Sequence, residues 1–458
     1  MRMTARSMAI VSLVFFFALG TAGLASAQSG ATPPSAQAPA GPGAPASPAA
    51  PKIDSGDTAW VLISSALVLL MTAPGLALFY GGMVRQKNAL GTLMQSFIVL
   101  ALISVQWVLW GYSLAFGPDK GGIIGGLEWA GLRGVGQAPN ADYAATIPHQ
   151  AFMLFQMMFA VITPALITGA FAERKRFKAF VVFSLLWATL VYDPVAHWVW
   201  GGGWLGQLGA LDFAGGTVVH ITSGVSALVA ALVLGRRVGL GREPMDPHDA
   251  TMTVLGASLL WFGWFGFNAG SAITSGGLAA SAFVVTNTAA AMAALTWMTV
   301  SWIHKGAPSV LGAAAGAVAG LVAITPASGY VDVSASILIG LGAGSICYAA
   351  IQVTRRLRVD DALDVFGVHG VGGTWGALAT GIFATVAVNP AAKDGLIAGN
   401  PAQLGVQLVA VGAVIAYAAV MTFAILKVID LFVGLRVPEH EEVLGLDATQ
   451  HREAAYQI

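Results

Sequence analysis

Eleven apolar stretches alternate with short polar connections along most of this chain. They fall at approximately 58–80, 89–116, 149–171, 178–197, 216–235, 251–269, 278–303, 308–325, 334–354, 368–388 and 404–432. About 20 apolar residues cross the hydrocarbon core of a bilayer as a helix. The pattern therefore predicts an all-α polytopic membrane protein with eleven transmembrane helices. Upstream, Arg2 and Arg6 precede an apolar core from Met8 to Leu19, and Ala25-Ser26-Ala27 fits a cleavage site. That core is too short to span, so residues 1–27 read as a secretory signal peptide. Residues 28–56 carry seven prolines among Ala, Ser and Gly, the composition of a disordered linker. The transmembrane domain is expected over 57–433 and a cytoplasmic C-terminal tail over 434–458.

Loop charges set the expected orientation. With the N-terminus outside, sixteen Lys and Arg fall on the cytoplasmic side and four outside. Positive charge gathers in cytoplasmic loops, so the chain reads as N-out and C-in. Spans five and ten each carry a histidine near an aspartate. Units of five spans have opposite topology, which predicts an inverted five-plus-five repeat with a working site between the halves and an extra C-terminal helix.

Composition agrees and narrows the function. Hydrophobic residues make up 56% of the chain and charged ones 10%, with a mean hydropathy of +0.75. Soluble domains carry about 25% charged residues. Fifty-seven glycines suit closely packed membrane helices. A net charge of zero, with no basic patch, gives nucleic-acid binding no support. Cys347 stands alone, which excludes a disulfide within the chain and a Cys-based metal or redox site. No cofactor or metal motif is present, and transport rather than catalysis is expected.

The chemistry centres on Asp212-Phe-Ala-Gly-Gly-Thr-Val-Val-His220 and Asp364-Val-Phe-Gly-Val-His369. Ionisable groups inside a membrane segment are costly and mark pathways by default. Two imidazoles in an apolar lumen can share a hydrogen and line a route for small polar solutes. Bis-histidine haem ligation is the rival use, without any accompanying haem motif. Asp212 reads both as the N-cap of span five and as a carboxylate that attracts cations. Trp200, with Trp198 and Trp204 nearby, sits where an aromatic belt is expected. Trp261-Phe-Gly-Trp-Phe-Gly-Phe-Asn-Ala-Gly-Ser271 interleaves aromatics with glycine. A ring face beside a hydroxyl such as Ser271 can hold a small cation.

These residues resemble the ammonium transporter family (Amt/Mep/Rh), on the bacterial Amt side. The resemblance runs from about Asp57 to the C-terminus. It is carried by Pro74-Gly-Leu-Ala-Leu-Phe-Tyr-Gly-Gly82, Gly169-Ala-Phe-Ala-Glu-Arg174, the two histidine segments, Gly263-Trp-Phe-Gly-Phe-Asn-Ala-Gly-Ser271 and Arg358-Val-Asp-Asp361. It implies an outer ammonium-recruiting site on Trp200, Phe159 and Ser271, with Phe155 and Gln156 in the vestibule. Phe159 and Phe267 would form a phenyl gate, and His220 and His369 the twin pore histidines. Asp212 would take part in recruitment and deprotonation. The pore would pass neutral ammonia, with separate proton transfer. The resemblance also implies a homotrimer in the bacterial inner membrane and a place in nitrogen metabolism. The tail from Gly434-Leu-Arg-Val-Pro-Glu439 to Gly445-Leu-Asp447 resembles the docking tail for a PII (GlnB/GlnK-type) regulator. The alternative is an ammonium sensor signalling through a separate cytoplasmic partner.

Overall fold

The computed structural model describes residues 52–456. The expected signal peptide and nearly all of the linker lie outside these residues. Nine helices among the described residues are long and apolar enough to cross a membrane. They are α1 (Ser55–Met83), α2 (Gln86–Phe116), α3 (His149–Phe171), α4 (Phe177–Leu208), α5 (Gly216–Leu234), α6 (Ala250–Ala272), α7 (Gly277–Lys305), α9 (Val333–Arg356) and α11 (Pro401–Phe432). Two shorter helices, α8 (Val310–Ile324) and α10 (residues 366–383), occupy the eighth and tenth expected stretches. A short helix α12 (Glu439–Leu444) follows in the tail. Helix α1 begins three residues earlier than expected because the Asp54 carboxylate accepts the N–H of Asp57 and caps it. Asp249, Ser309 and Asp332 cap α6, α8 and α9 in the same way.

Apolar side chains face outward as well as inward. Phe97 on α2, Ile303 on α7 and Val420 and Leu431 on α11 are all exposed. A soluble fold rarely tolerates so much apolar surface; a multi-pass membrane protein presents it to lipid.

Polar side chains meet at the two ends of the bundle. At one end, Asp57 accepts the Thr146 hydroxyl at 2.6 Å and the Ser275 N–H at 2.7 Å, joining α1 to the connections before α3 and α7. At the other, Glu173 pairs with Arg85 at 2.6 Å and Arg237 with Asp360 at 2.9 Å. Arg436 joins this end through Glu442 at 2.7 Å. The motif Gly169–Arg174 thus earns its place as the hub of a buried ion network. A two-stranded hairpin, β1 (Asp119–Lys120) with β2 (Ile124–Gly125), lies in the α2–α3 connection and has no apolar pattern that announces it.

Four of the long helices and the shorter α10 contain π-helical turns: Met71–Leu76, Trp107–Gly111, Ala188–Tyr192, Gly216–Ile221 and, in α10, Phe366–Gly370. In α1 the cause is local. Pro74 has no N–H, and its ring would strike the carbonyl four residues back. The last two hold His220 and His369, and such wide turns concentrate at functional sites.

Candidate functional site

Helices α5 and α10 run in opposite directions and cross where their histidines lie. The crossing is tight: a Cβ on Gly224 would stand 2.0 Å from the backbone nitrogen of Gly370. Glycine there lets the two backbones touch. A Cβ on Gly373 would likewise fall 2.9 Å from that of His220. With the backbones this close, the Nδ1 atoms of His220 and His369 lie 3.2 Å apart. One nitrogen donates and the other accepts, so the pair shares a single hydrogen. Nitrogens in direct hydrogen-bond contact leave no gap for a metal between them, which disfavours ligation across an iron. The His220 Nε2 is buried with no protein partner.

Aromatic rings continue the line from His220 toward Trp200. Phe267 lies 6.0 Å from the His220 ring, and Phe159 packs 4.3 Å from Phe267. Trp200 then meets Phe159 edge-on at 5.9 Å. Phe159 and Phe267 are buried, whereas Trp200 and Ser271 are partly exposed. Ser271 sits one turn beyond Phe267 and donates its hydroxyl to the Phe267 carbonyl at 2.8 Å. That bond fixes the rotor and leaves the oxygen lone pairs to accept. Phe155 is fully buried against Phe159 at 5.0 Å, so it backs the rings instead of facing the exterior. Gln156 is only partly buried.

At Asp212 the geometry matches the capping reading. Its Oδ1 accepts the N–H groups of Gly215 and Gly216, at 2.8 and 2.6 Å. Its Oδ2 accepts those of Thr217 and Val218 as well as the Thr217 hydroxyl. A carboxylate with four backbone donors and a hydroxyl closes the N-terminus of α5 from three residues before its N-cap Gly215, and it is buried. It does not stand free at a pore mouth. Its link to the aromatic cluster is the backbone carbonyl, which accepts the Trp200 Nε1–H at 2.8 Å.

Two residues escaped the sequence reading. Trp264 stacks on His220 at 5.6 Å and lines the same cavity, held by its Nε1–H to the Thr325 hydroxyl at 2.9 Å. Its place three residues before Phe267 puts both on one helix face. Asp361, not Asp364, is the counterpart of Asp212. It accepts the Phe366 N–H at 2.7 Å at the start of α10, while Asp364 pairs with Arg355 at 2.6 Å. One cavity runs past both imidazoles between Leu260, Ile162 and Val318. A second continues from His369 toward Asp364, lined by Tyr80, Met83 and Trp297.

Known proteins resemble this chain over most of its length. A sequence profile of the Ammonium Transporter Family matches residues 59–456. An ammonium transporter of Bacillus subtilis is 57% identical over 88% of this chain and 98% of its own length. The ammonium transporter Amt1 of Archaeoglobus fulgidus is 50% identical over 88% of this chain and all of its own length. The crystal structure of Candida albicans Mep2 superposes with a TM-score of 0.80 at 41% identity, covering 85% of this chain and 88% of that one. With the profile match covering most of its length, the chain belongs to the Ammonium Transporter Family.

Proposed function

We propose that this protein transports ammonium by holding the ion at an outer aromatic site, removing its proton and conducting ammonia along the two histidines. The observation that carries the reading is the unbroken column Trp200, Phe159, Phe267, His220, His369, ending in the 3.2 Å Nδ1 contact. Ammonium is drawn to the ring faces of Trp200 and Phe159 and donates to the Ser271 oxygen. Potassium has similar size but no hydrogen to donate, so selectivity rests on that bond and on the loss of a proton. Below the phenyl gate the lumen is apolar, and a bare ion there is expensive. Neutral ammonia is not, and it can donate to or accept from imidazole nitrogens in turn. The unpartnered His220 Nε2 is its first stop. The proton travels separately, through the shared hydrogen of the histidine pair. Asp212 acts by positioning: it starts α5 and fixes Trp200, and it does not touch the ion.

We further propose eleven spans in an inverted repeat, N-terminus outside and C-terminus cytoplasmic, in a bacterial inner membrane. The antiparallel α5 and α10, each with its histidine in a wide first turn, support the inversion. Charges assigned to the cytoplasm do gather at one end of the bundle. A homotrimer and control by a PII-type protein at the tail complete the reading.

The test is the current across a supported membrane carrying proteoliposomes, on ammonium and potassium jumps, for wild type and His369→Ala. We expect a transient for ammonium alone, at least tenfold smaller in the variant. Absence of both current and ammonium binding in the wild type would overturn the reading.

A further inference from the structure

Helices α2 and α4 carry a second set of buried polar side chains that the histidine column does not use. Asp193 is 0% exposed and Gln106 1% exposed. The Gln106 amide donates to Asp193 Oδ2 at 2.8 Å. Two buried oxygens on these same side chains, Asp193 Oδ1 and Gln106 Oε1, have no donor. Among the described residues, no Lys, Arg or His comes within ion-pairing distance of Asp193. Tyr192, the titratable neighbour on its own helix, has a buried hydroxyl without a partner. His197, one turn on, bonds instead to the Ala115 carbonyl and Asp119. A bare carboxylate at this depth would have one amide N–H and no cation to compensate its charge.

We propose that Asp193 carries a proton in the folded protein and closes a two-point acid–amide pair with Gln106. A hydrogen on Oδ1 turns that oxygen into the donor that Gln106 Oε1 lacks. Within the pair each side chain then donates once and accepts once, the second amide hydrogen of Gln106 goes to the Thr189 hydroxyl at 3.3 Å, and both orphaned oxygens are satisfied. The local backbone is built for the pair. Gln106 directly precedes the wide turn Trp107–Gly111, and Asp193 directly follows the wide turn Ala188–Tyr192. The Trp110 Nε1–H donates to Thr189 at 3.0 Å and stitches the two turns together. A Cβ on Gly111 would lie 2.6 Å from Gln106 Oε1, so glycine admits the amide.

The pair also has a place in transport, a part of the proposal that rests on the function argued above. Asp193 stands about two helical turns before Trp200 on α4. It pins that helix to α2 beneath the aromatic site and is a positioning residue for it.

The test has a spectroscopic arm and a transport arm. Infrared difference spectra of purified full-length protein, wild type minus Asp193→Asn, should show a protonated-carboxyl stretch at neutral pH. Other buried acids such as Asp361 cancel in the difference. A carboxylate band in its place overturns the proposal, whatever the transport result. Asparagine reproduces the neutral acid, one donor and one acceptor, so D193N should keep transport with its half-saturating ammonium within about twofold. Asp193→Ala and Gln106→Leu should raise that concentration several-fold, with a smaller change in maximal current. If D193A fails to fold, Q106L carries this arm. A protonated band with unmoved half-saturation in these variants would keep the pair and remove the positioning role. Loss of transport in a folded D193N would mean that the charged form is needed, and would sink both.

Discussion

Asp361 stands at the start of α10 as Asp212 stands at the start of α5, eight residues before its histidine, and receives the Phe366 N–H at 2.7 Å. The two carboxylates differ in what surrounds them. Asp212 has five donors, whereas Asp361 has one oxygen without any partner and a like charge nearby in Asp364. Burial, and then that like charge, push the Asp361 carboxyl up to about 7. A carboxyl raised in the fold favours folding while it is protonated. Its contribution is therefore full below pH 4 or so and is lost as the pH rises toward 7.

Thermal unfolding of the detergent-solubilised protein between pH 4 and 8 reads this directly. The wild type should lose stability across that window. Asp361→Asn should flatten the loss and gain on the order of a few kcal/mol at pH 8 relative to the wild type. Parallel curves for the two proteins would show that Asp361 is ionised throughout.

The histidine contact depends on glycine at the α5–α10 crossing. Gly224→Ala places a methyl 2.0 Å from a backbone nitrogen that has no room to retreat. Overpacking typically costs 1–3 kcal/mol, and a backbone clash this close should reach about 3 kcal/mol or more. Gly412→Ala on α11 is the control, since nothing lies within 4 Å of its added Cβ. We expect a large fall in melting temperature for G224A and almost none for G412A. Equal behaviour would mean that the crossing is looser than described.

Helix positions were legible because lipid imposes one strong rule: some 20 apolar residues per crossing, with charge confined to the ends. The histidines and the gate phenylalanines stood out because a polar group or clustered aromatics break that rule. What pattern alone missed comes from contacts between distant segments. The wide turns at Gly216–Ile221 and Phe366–Gly370 arise where α5 and α10 meet, and no local sequence dictates them. Asp364 precedes His369 more closely than Asp361 and drew attention first, yet Arg355 claims it. The capping role of Asp212 was legible from its place before Gly215-Gly216, but that both of its oxygens are taken by four amides and a hydroxyl was not. The tail read as a docking segment for a cytoplasmic partner, with nothing in its letters to show that its own Glu442 and Asp447 are buried.

That packing of the tail can be tested at Asp447. Its two oxygens accept the N–H groups of Leu90 and Gly91, at 3.0 and 2.7 Å, and so cap the α-helical turn of α2 that begins at Ala89. Losing such a cap costs about 1 kcal/mol, or roughly fivefold in a local opening equilibrium. Asp447→Ala should therefore speed hydrogen exchange about fivefold over residues 446–451 and at the freed Leu90 and Gly91 amides, and leave the rest of the membrane helices unaffected. Unchanged exchange there would assign the anchoring to Glu442, whose carboxylate accepts from Arg436 at 2.7 Å and from the Val238 N–H at 2.6 Å.

The outer site offers the sharpest separation of attraction from positioning. Trp200 contributes a ring face next to Phe159 and an Nε1–H that ties it to the Asp212 carbonyl. Trp200→Phe keeps a ring and removes the tie, whereas Trp200→Leu removes both. A cation–π contact is worth about 0.5–2 kcal/mol, so losing the ring should weaken half-saturation by roughly two- to thirtyfold. The phenylalanine variant should fall between wild type and leucine, with half-saturation moving more than maximal current. Because the lumen below is unchanged in both, the small ammonia flux driven by a gradient of the neutral species should persist. If leucine matches wild type in half-saturation, ammonium is not gathered on Trp200, and recruitment belongs to Ser271 and Phe159 alone.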